Sequence, residues 1–235
     1  VKKRVIEIVS ALFVFALGIV LPGQLTAHAL ELVGVPSGML MATALVNFAS
    51  IDGQSYQQGN PGGLRRVLIL LARKIKNPWP TEALIDAQGN VTALPEYTDA
   101  GTKWAEYMFP DGTASVDSDG GGDPGYQSNK HMVELALAGF SAEIRAEIKK
   151  HQNAGSIVIV EMKDGQYQVA GSSDDPIFLK PSYKGGKKGN DKRGYTLKGD
   201  VDGMMWDLPV LKPNLVASLP ISPIVAAASS VPAGQ

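Results

Sequence analysis

Residues 155–183 read GSIVIVEMKDGQYQVAGSSDDPIFLKPSY, and the fold class rests on this stretch. Ile157, Val158, Ile159 and Val160 form a short, wholly apolar, β-branched run, the pattern of a strand covered on both faces. Asp164 and Gly165 follow, a dipeptide suited to a type I′ turn, in which both central residues take positive φ. Tyr167 and Val169 then alternate with Gln166 and Gln168, so the returning strand has one wet face. Residues 171–176 make a polar turn, and Ile177, Phe178 and Leu179 enter a third strand. Three strands within so short a span can hold a core. None of them carries catalytic chemistry.

The 235 residues are 44% hydrophobic and 19% charged, enough for one domain of moderate size with tails. A net charge of −1 gives no global attraction to nucleic acid or to an anionic membrane. There is no cysteine, which excludes disulfides, thiolate nucleophiles and Cys-ligated zinc. The 26 glycines and 15 prolines suit short strands and turns better than a helical bundle.

At the start, Lys2, Lys3 and Arg4 precede an apolar run over 5–21, ended by Pro22 and Gly23 and followed by Ala27-His28-Ala29. This is a signal-peptide pattern with cleavage after Ala29. Glu7 and the shortness of the run argue against a spanning helix. Met39 and Met41, ahead of Ala42-Thr43-Ala44-Leu45, offer an alternative start of translation. The expected organisation is a leader over 1–40, a β-rich globular domain over 41–211, and a Pro/Ala-rich arm or disordered tail over 212–235.

Within the domain, the polar, glycine-rich 50–63 is an arm or loop, and Val67 to Leu71 form a buried strand. Trp79, between two prolines, is a packed anchor. Asn90-Val91-Thr92 spells a glycosylation sequon by chance. Residues 103–109 form a loose strand, and Asp111-Gly112 a turn. Residues 116–126, VDSDGGGDPGY, are the most acidic loop. Asp117, Asp119 and Asp123 invite a calcium reading, but Gly121 holds the fifth ligand place of an EF-hand and Ser128 the twelfth, so the bidentate carboxylate is missing. A solvated hairpin tip is the simpler reading. Val133, Leu135 and Leu137 then share one face of a strand over 128–139. Ser141 caps a helix running to about Gln152, with Glu143 in its first turn, Lys149 and Lys150 in its last, and Ile144 and Ile148 on its docking face. Asn153-Ala154-Gly155 stops it.

Residues 184–194, KGGKKGNDKRG, hold the one basic cluster, Lys184, Lys187, Lys188, Lys192 and Arg193. No P-loop can be matched to it. Tyr195-Thr196-Leu197 resumes a strand, and Met204, Met205 and Trp206 are core or interface filler. His28, His131 and His151 stand far apart. No zinc-protease motif, nucleophile elbow or dinucleotide fingerprint is present, and no carboxylate pair sits in an apolar setting that would split its pKa values. The expectation is a protein that is not an enzyme and takes no cofactor, metal or small-molecule substrate.

Four segments carry a resemblance: Gly62-Gly63-Leu64-Arg65-Arg66-Val67 after a polar arm, Gly155-Ser156-Ile157-Val158-Ile159-Val160, 164–172 (DGQYQVAGS), and Lys192-Arg193-Gly194-Tyr195-Thr196-Leu197. In layout and in these short motifs, residues 42–211 resemble virion structural proteins of tailed phages and prophages, the tail tube class in particular. The resemblance implies a mainly β (α+β) fold, a β-sandwich or β-barrel with one flanking helix and extended terminal arms. It also implies self-assembly into rings, commonly hexameric, that stack into a tube. The partners are then further copies of the chain and other virion proteins, with nucleic acid only as lumen contents. The place is the virion, or the host cytoplasm during assembly. The subunit-contact candidates are Asp117, Asp119 and Asp123 on one loop and Lys184, Lys187, Lys188, Lys192 and Arg193 on the other, whose opposite charges suit head-to-tail contact. The alternative, which follows from the signal-peptide pattern, is an exported or envelope-associated β-domain that binds a surface partner or polysaccharide.

Overall fold

The computed structural model describes residues 49–51, 59, 61–189 and 191–224. The leader expected at 1–40, most of the arm or loop expected at 50–63 and the tail from 225 onward lie outside the described residues. The fold is that of the unit Tyr56–Gln235. In chain order its strands are β1 (Leu64–Leu71), β2 (Asn90–Val91), β3 (Ala105–Tyr107), β4 (Ala114–Gly121), β5 (Ser128–Ala138), β6 (Gly155–Met162), β7 (Tyr167–Ala170), β8 (Ile177–Phe178), β9 (Lys180–Lys184), β10 (Gly194–Met204) and β11 (Val210–Leu211). Helix α1 (Ala142–Lys150) lies between β5 and β6, and the single turn α2 (Pro213–Val216) follows β11. Among the described residues the protein is mainly β, with two sheets and one regular helix.

The apolar run around Ile157 is the centre of the larger sheet, whose order is β2-β11-β7-β6-β1-β3, with β8 also paired to β6. Side chains alternate between faces along a strand, and the two central strands use both faces. Val67 and Ile69 of β1 and Val158 and Val160 of β6 face one core, with Val133 and Leu135 of β5, Leu197 of β10 and Ile148 of α1. Leu68, Leu70, Ile157 and Ile159 face the other, with Trp79, Trp104, Leu211 and Leu219. The first core is shared with the smaller sheet, β4-β5-β10-β9, so the two sheets form a sandwich. The second lies under the loops between β1 and β3 and under the segment after β11. This two-sided cover is why so apolar a run is stable there.

Several expectations hold in detail. The Ser141 hydroxyl accepts from the Ile144 N–H at the start of α1, Ile148 is buried, and Asn153 takes φ 55° where the chain leaves the helix. Trp79 is 1% exposed and donates from Nε1 to the Ala93 carbonyl at 2.8 Å.

Three expectations are corrected. The β6–β7 turn is not type I′, because Gly165 has φ 90° and Asp164 does not have positive φ. The Gly165 N–H donates to the Met162 carbonyl, and the Met162 N–H to the Gln166 carbonyl. That is a three-residue loop with glycine at the left-handed place. The acidic 116–126 is not all loop, since β4 pairs with β5 from Ala114↔Leu135 to Gly121↔Ser128. Finally, 212–224 is not an arm. Leu219 is buried, the Trp104 N–H donates to the Pro220 carbonyl, and the Ser222 N–H donates to the Trp104 carbonyl. Lys212 Nζ lies 2.9 Å from Asp86; that contact and the Asn90 N–H bring the Asp86 carboxyl down to about 2.

Where β8 runs on into β9, the chain lies against Gly199 of β10. A Cβ on Gly199 would sit 2.7 Å from Ile177 Cγ2 and 2.8 Å from the Phe178 carbonyl oxygen. Gly199→Ala is therefore expected to destabilise by about 1–3 kcal/mol, lowering Tm by roughly 3–10 °C. A thermal melt with unchanged Tm would show that the contact yields freely.

Candidate interaction surfaces at the ends of the smaller sheet

The two charged stretches singled out in the sequence are placed by one pair of strands. Strand β5 begins at Ser128, opposite Gly121, and ends at Ala138, opposite Gly194. The turn at 122–127 therefore leaves one end of the sheet and the loop at 185–193 leaves the other. The eleven-residue strands β5 and β10 lie between them.

Toward the acidic end, Asp119 stands on β4 opposite Lys130 and Asp123 stands on the turn, while Asp117 stands on β4 opposite Met132, near the middle of β5. His131, Val133 and Leu135 of β5 point into the sandwich. Their neighbours Lys130 and Met132, and with them Asp117 and Asp119, hence face outward. Asp200 of β10, opposite Met132, joins them, and Lys130 Nζ bonds its carboxylate at 2.8 Å. The Asp200 contact chiefly holds the Lys130 ammonium above its usual range, with help from Asp202 and Asp119. Lys130 thus stands among Asp117, Asp119, Asp200 and Asp202, and Lys180 and Lys198 also act on Asp200. Tyr126 and Met205, 84% and 75% exposed, project at the same end. The indole N–H of Trp206, next in the chain to Met205, is buried and has no acceptor among the described residues. Of the residues expected as core or interface filler, Met204 is core and Met205 is exposed.

At the basic end, Lys184 closes β9, and the loop beyond it is folded around Asp191, whose carboxylate accepts from the Lys187 and Lys188 N–H groups at 2.6 and 3.0 Å. The side chains of Lys184, Lys187, Lys188 and Lys192 are exposed and make no ion pair among the described residues. Arg193 has a different place. Its Nε donates to the Tyr183 hydroxyl at 3.1 Å, and its guanidinium lies 5.0 Å from the centre of the Phe140 ring. Arg145 of α1 approaches the same ring at 4.8 Å. Tyr183 and Tyr195, paired across β9 and β10, close the cluster at 5.1 Å. Cations over aromatic faces at such distances attract by about 0.5–1 kcal/mol when exposed, so the loop rises from an ordered base.

Reading by sequence missed Asp200 and Asp202, Tyr126, and the Phe140–Tyr183–Tyr195 cluster. Two signals for them were present. Asp200 and Asp202 alternate on a strand, and Tyr183 and Tyr195 flank the basic loop nearly symmetrically. Among the described residues no three His, Asp or Glu side chains are grouped to hold a metal ion, and no helix is long and apolar enough to cross a membrane. Compared with protein-family models, with curated proteins and with solved structures, the chain matches none of them.

Proposed function

We propose that this chain is a non-enzymatic structural protein that self-assembles head to tail, as the phage tail tube proteins it resembles do. The observation that supports this reading is the opposite charge at opposite ends of one sheet. Asp119, Asp123 and Asp202 stand toward the acidic end, with Asp117 and Asp200 nearer the middle of the outer face; the basic end carries Lys184, Lys187, Lys188 and Lys192 around Asp191. A contact between unlike ends of identical copies is heterologous, and such contacts either close rings or propagate tubes. Exposed Tyr126 and Met205 add apolar area where charges alone contribute little.

The test is sedimentation velocity with negative-stain electron microscopy on the full chain at rising concentration. Rings or tubes of uniform diameter are expected, and they weaken as salt is raised. Lys187→Glu, Lys188→Glu and Lys192→Glu together are expected to lower the association constant roughly 10- to 100-fold, since each exposed pair contributes about 0.2–1 kcal/mol and reversal adds repulsion. Circular dichroism should be unchanged. Combining this triple variant with Asp117→Lys and Asp119→Lys should recover part of the association. Monomers at every concentration would overturn the reading.

A further inference from the structure

A cleft of about 410 Å³ opens between the turn after β1, the end of α1 and the turn before β8, within the roughly 300–1,000 Å³ range of small-molecule sites. One wall is Phe178, which is 47% exposed. Phe178 pairs with Gly155 across β8 and β6. A Cβ on Gly155 would lie 3.3 Å from Phe178 Cζ and 2.7 Å from Pro176 Cγ. Backbone thus backs the ring closely while much of it faces solvent.

Three polar side chains at the rim, Arg73, Asn153 and Asp174, are exposed and make no hydrogen bond or ion pair among the described residues. Their neighbours are already engaged. Asn77 donates to Glu96 at 2.9 Å, and the Ser173 hydroxyl accepts from the Trp79 N–H at 2.8 Å. The cleft therefore offers an aromatic face, one carboxylate acceptor, one amide and one guanidinium, beside the Lys76 ammonium, which pairs with Glu96 at 3.4 Å.

An apolar ligand would desolvate the three polar groups without pairing them. A phosphate or carboxylate would pair with Arg73 but would leave the Asp174 carboxylate facing like charge. A pyranose ring meets every feature. Its C–H face suits the negative face of the phenyl ring. Its hydroxyls both donate and accept, so Asp174 can accept hydrogen bonds from them while Arg73 and Asn153 donate to their oxygens. We propose that this cleft binds an uncharged pyranose unit of an oligosaccharide, stacked on Phe178 and held by Asp174, Arg73 and Asn153. The proposal is independent of self-assembly.

The test is saturation-transfer NMR on the full chain with cellohexaose, maltohexaose, mannohexaose and chitohexaose, and with free phenylalanine as a zwitterion that could bridge Arg73 and Asp174. At least one hexaose is expected to bind saturably. Phe178→Ala and Asp174→Asn should each weaken that binding at least about tenfold, and Phe178→Tyr should retain it. Both positions are exposed, so unchanged melting curves serve as the folding control. No saturable binding of any of the four sugars, binding indifferent to both variants, or preference for phenylalanine over every sugar would each overturn the proposal.

Discussion

Replacing Trp104 with alanine is expected to remove about 3–5 kcal/mol of unfolding free energy. The indole is fully buried and meets Trp79 edge-on, with ring centres 6.3 Å apart. Its Nε1 donates to the Tyr97 hydroxyl at 2.9 Å. Removal leaves a cavity beneath the larger sheet and a half-buried hydroxyl short of a partner. The backbone of residue 104 keeps its bonds to Pro220 and Ser222 in alanine, but Leu219 and Ile221, packed in the same cluster, lose the indole. Urea unfolding measures the loss, and limited proteolysis should cut near 217–224 sooner than in the parent. A loss below about 1 kcal/mol would mean that the loops over this face collapse to refill the cavity.

The second large effect belongs to His131. The side chain is fully buried on β5, and it ties the two sheets together. Its Nδ1 accepts from the Gly171 N–H at 3.2 Å, and the Trp206 carbonyl is 3.0 Å from Nε2. Only the neutral ring protonated at Nε2 satisfies both. Burial pushes the imidazole below its ordinary 6.5, against the opposing pull of the Trp206 carbonyl and Asp207. The unfolded chain therefore takes up this proton at higher pH than the folded one. The stabilisation is fully present above about pH 6.5 and is lost as pH falls toward the folded pKa. His151, buried beside the Tyr107 hydroxyl at 2.7 Å, is lowered mainly by burial and adds to the same trend. His131→Leu should cost about 2–4 kcal/mol at pH 7.5, because a buried N–H and a buried carbonyl lose their partner. It should also flatten the decline in stability between pH 7.5 and pH 5. A variant whose urea midpoint falls as steeply as the parent's over that range would refute this assignment.

Legibility in the sequence tracked how local each cause was. The run at Ile157 to Val160 was readable because β-branched residues without a polar face have few other homes. Ser141 and its helix were readable because capping is decided within four residues. Asp164-Gly165 marked a turn but not its type, since both candidate loops want glycine at the left-handed place. Strand β4 was hidden by its own composition. Only Ala114, Val116 and Ser118 face inward, opposite Leu135, Val133 and His131, while the outward aspartates and glycines resemble a loop. The segment around Leu219 was hidden by its prolines, since its order comes from Trp104, more than a hundred residues away. The acidic and basic stretches were visible as composition. That they leave opposite ends of one sheet follows only from the pairing of β5 with β10.

That pairing makes the smaller sheet a ruler. Eleven residues of extended chain measure about 36 Å, and both charged ends are fixed to a hydrogen-bonded ladder of that length. For copies joined end to end, the repeat along the axis is therefore written into strand length, while loop sequence adjusts only the strength of each joint. Two residues inserted in both β5 and β10 would keep every side chain on its own face and lengthen the repeat by about 7 Å. One residue in each would turn the sheet's inner face outward beyond the insertion, and the sandwich would not close.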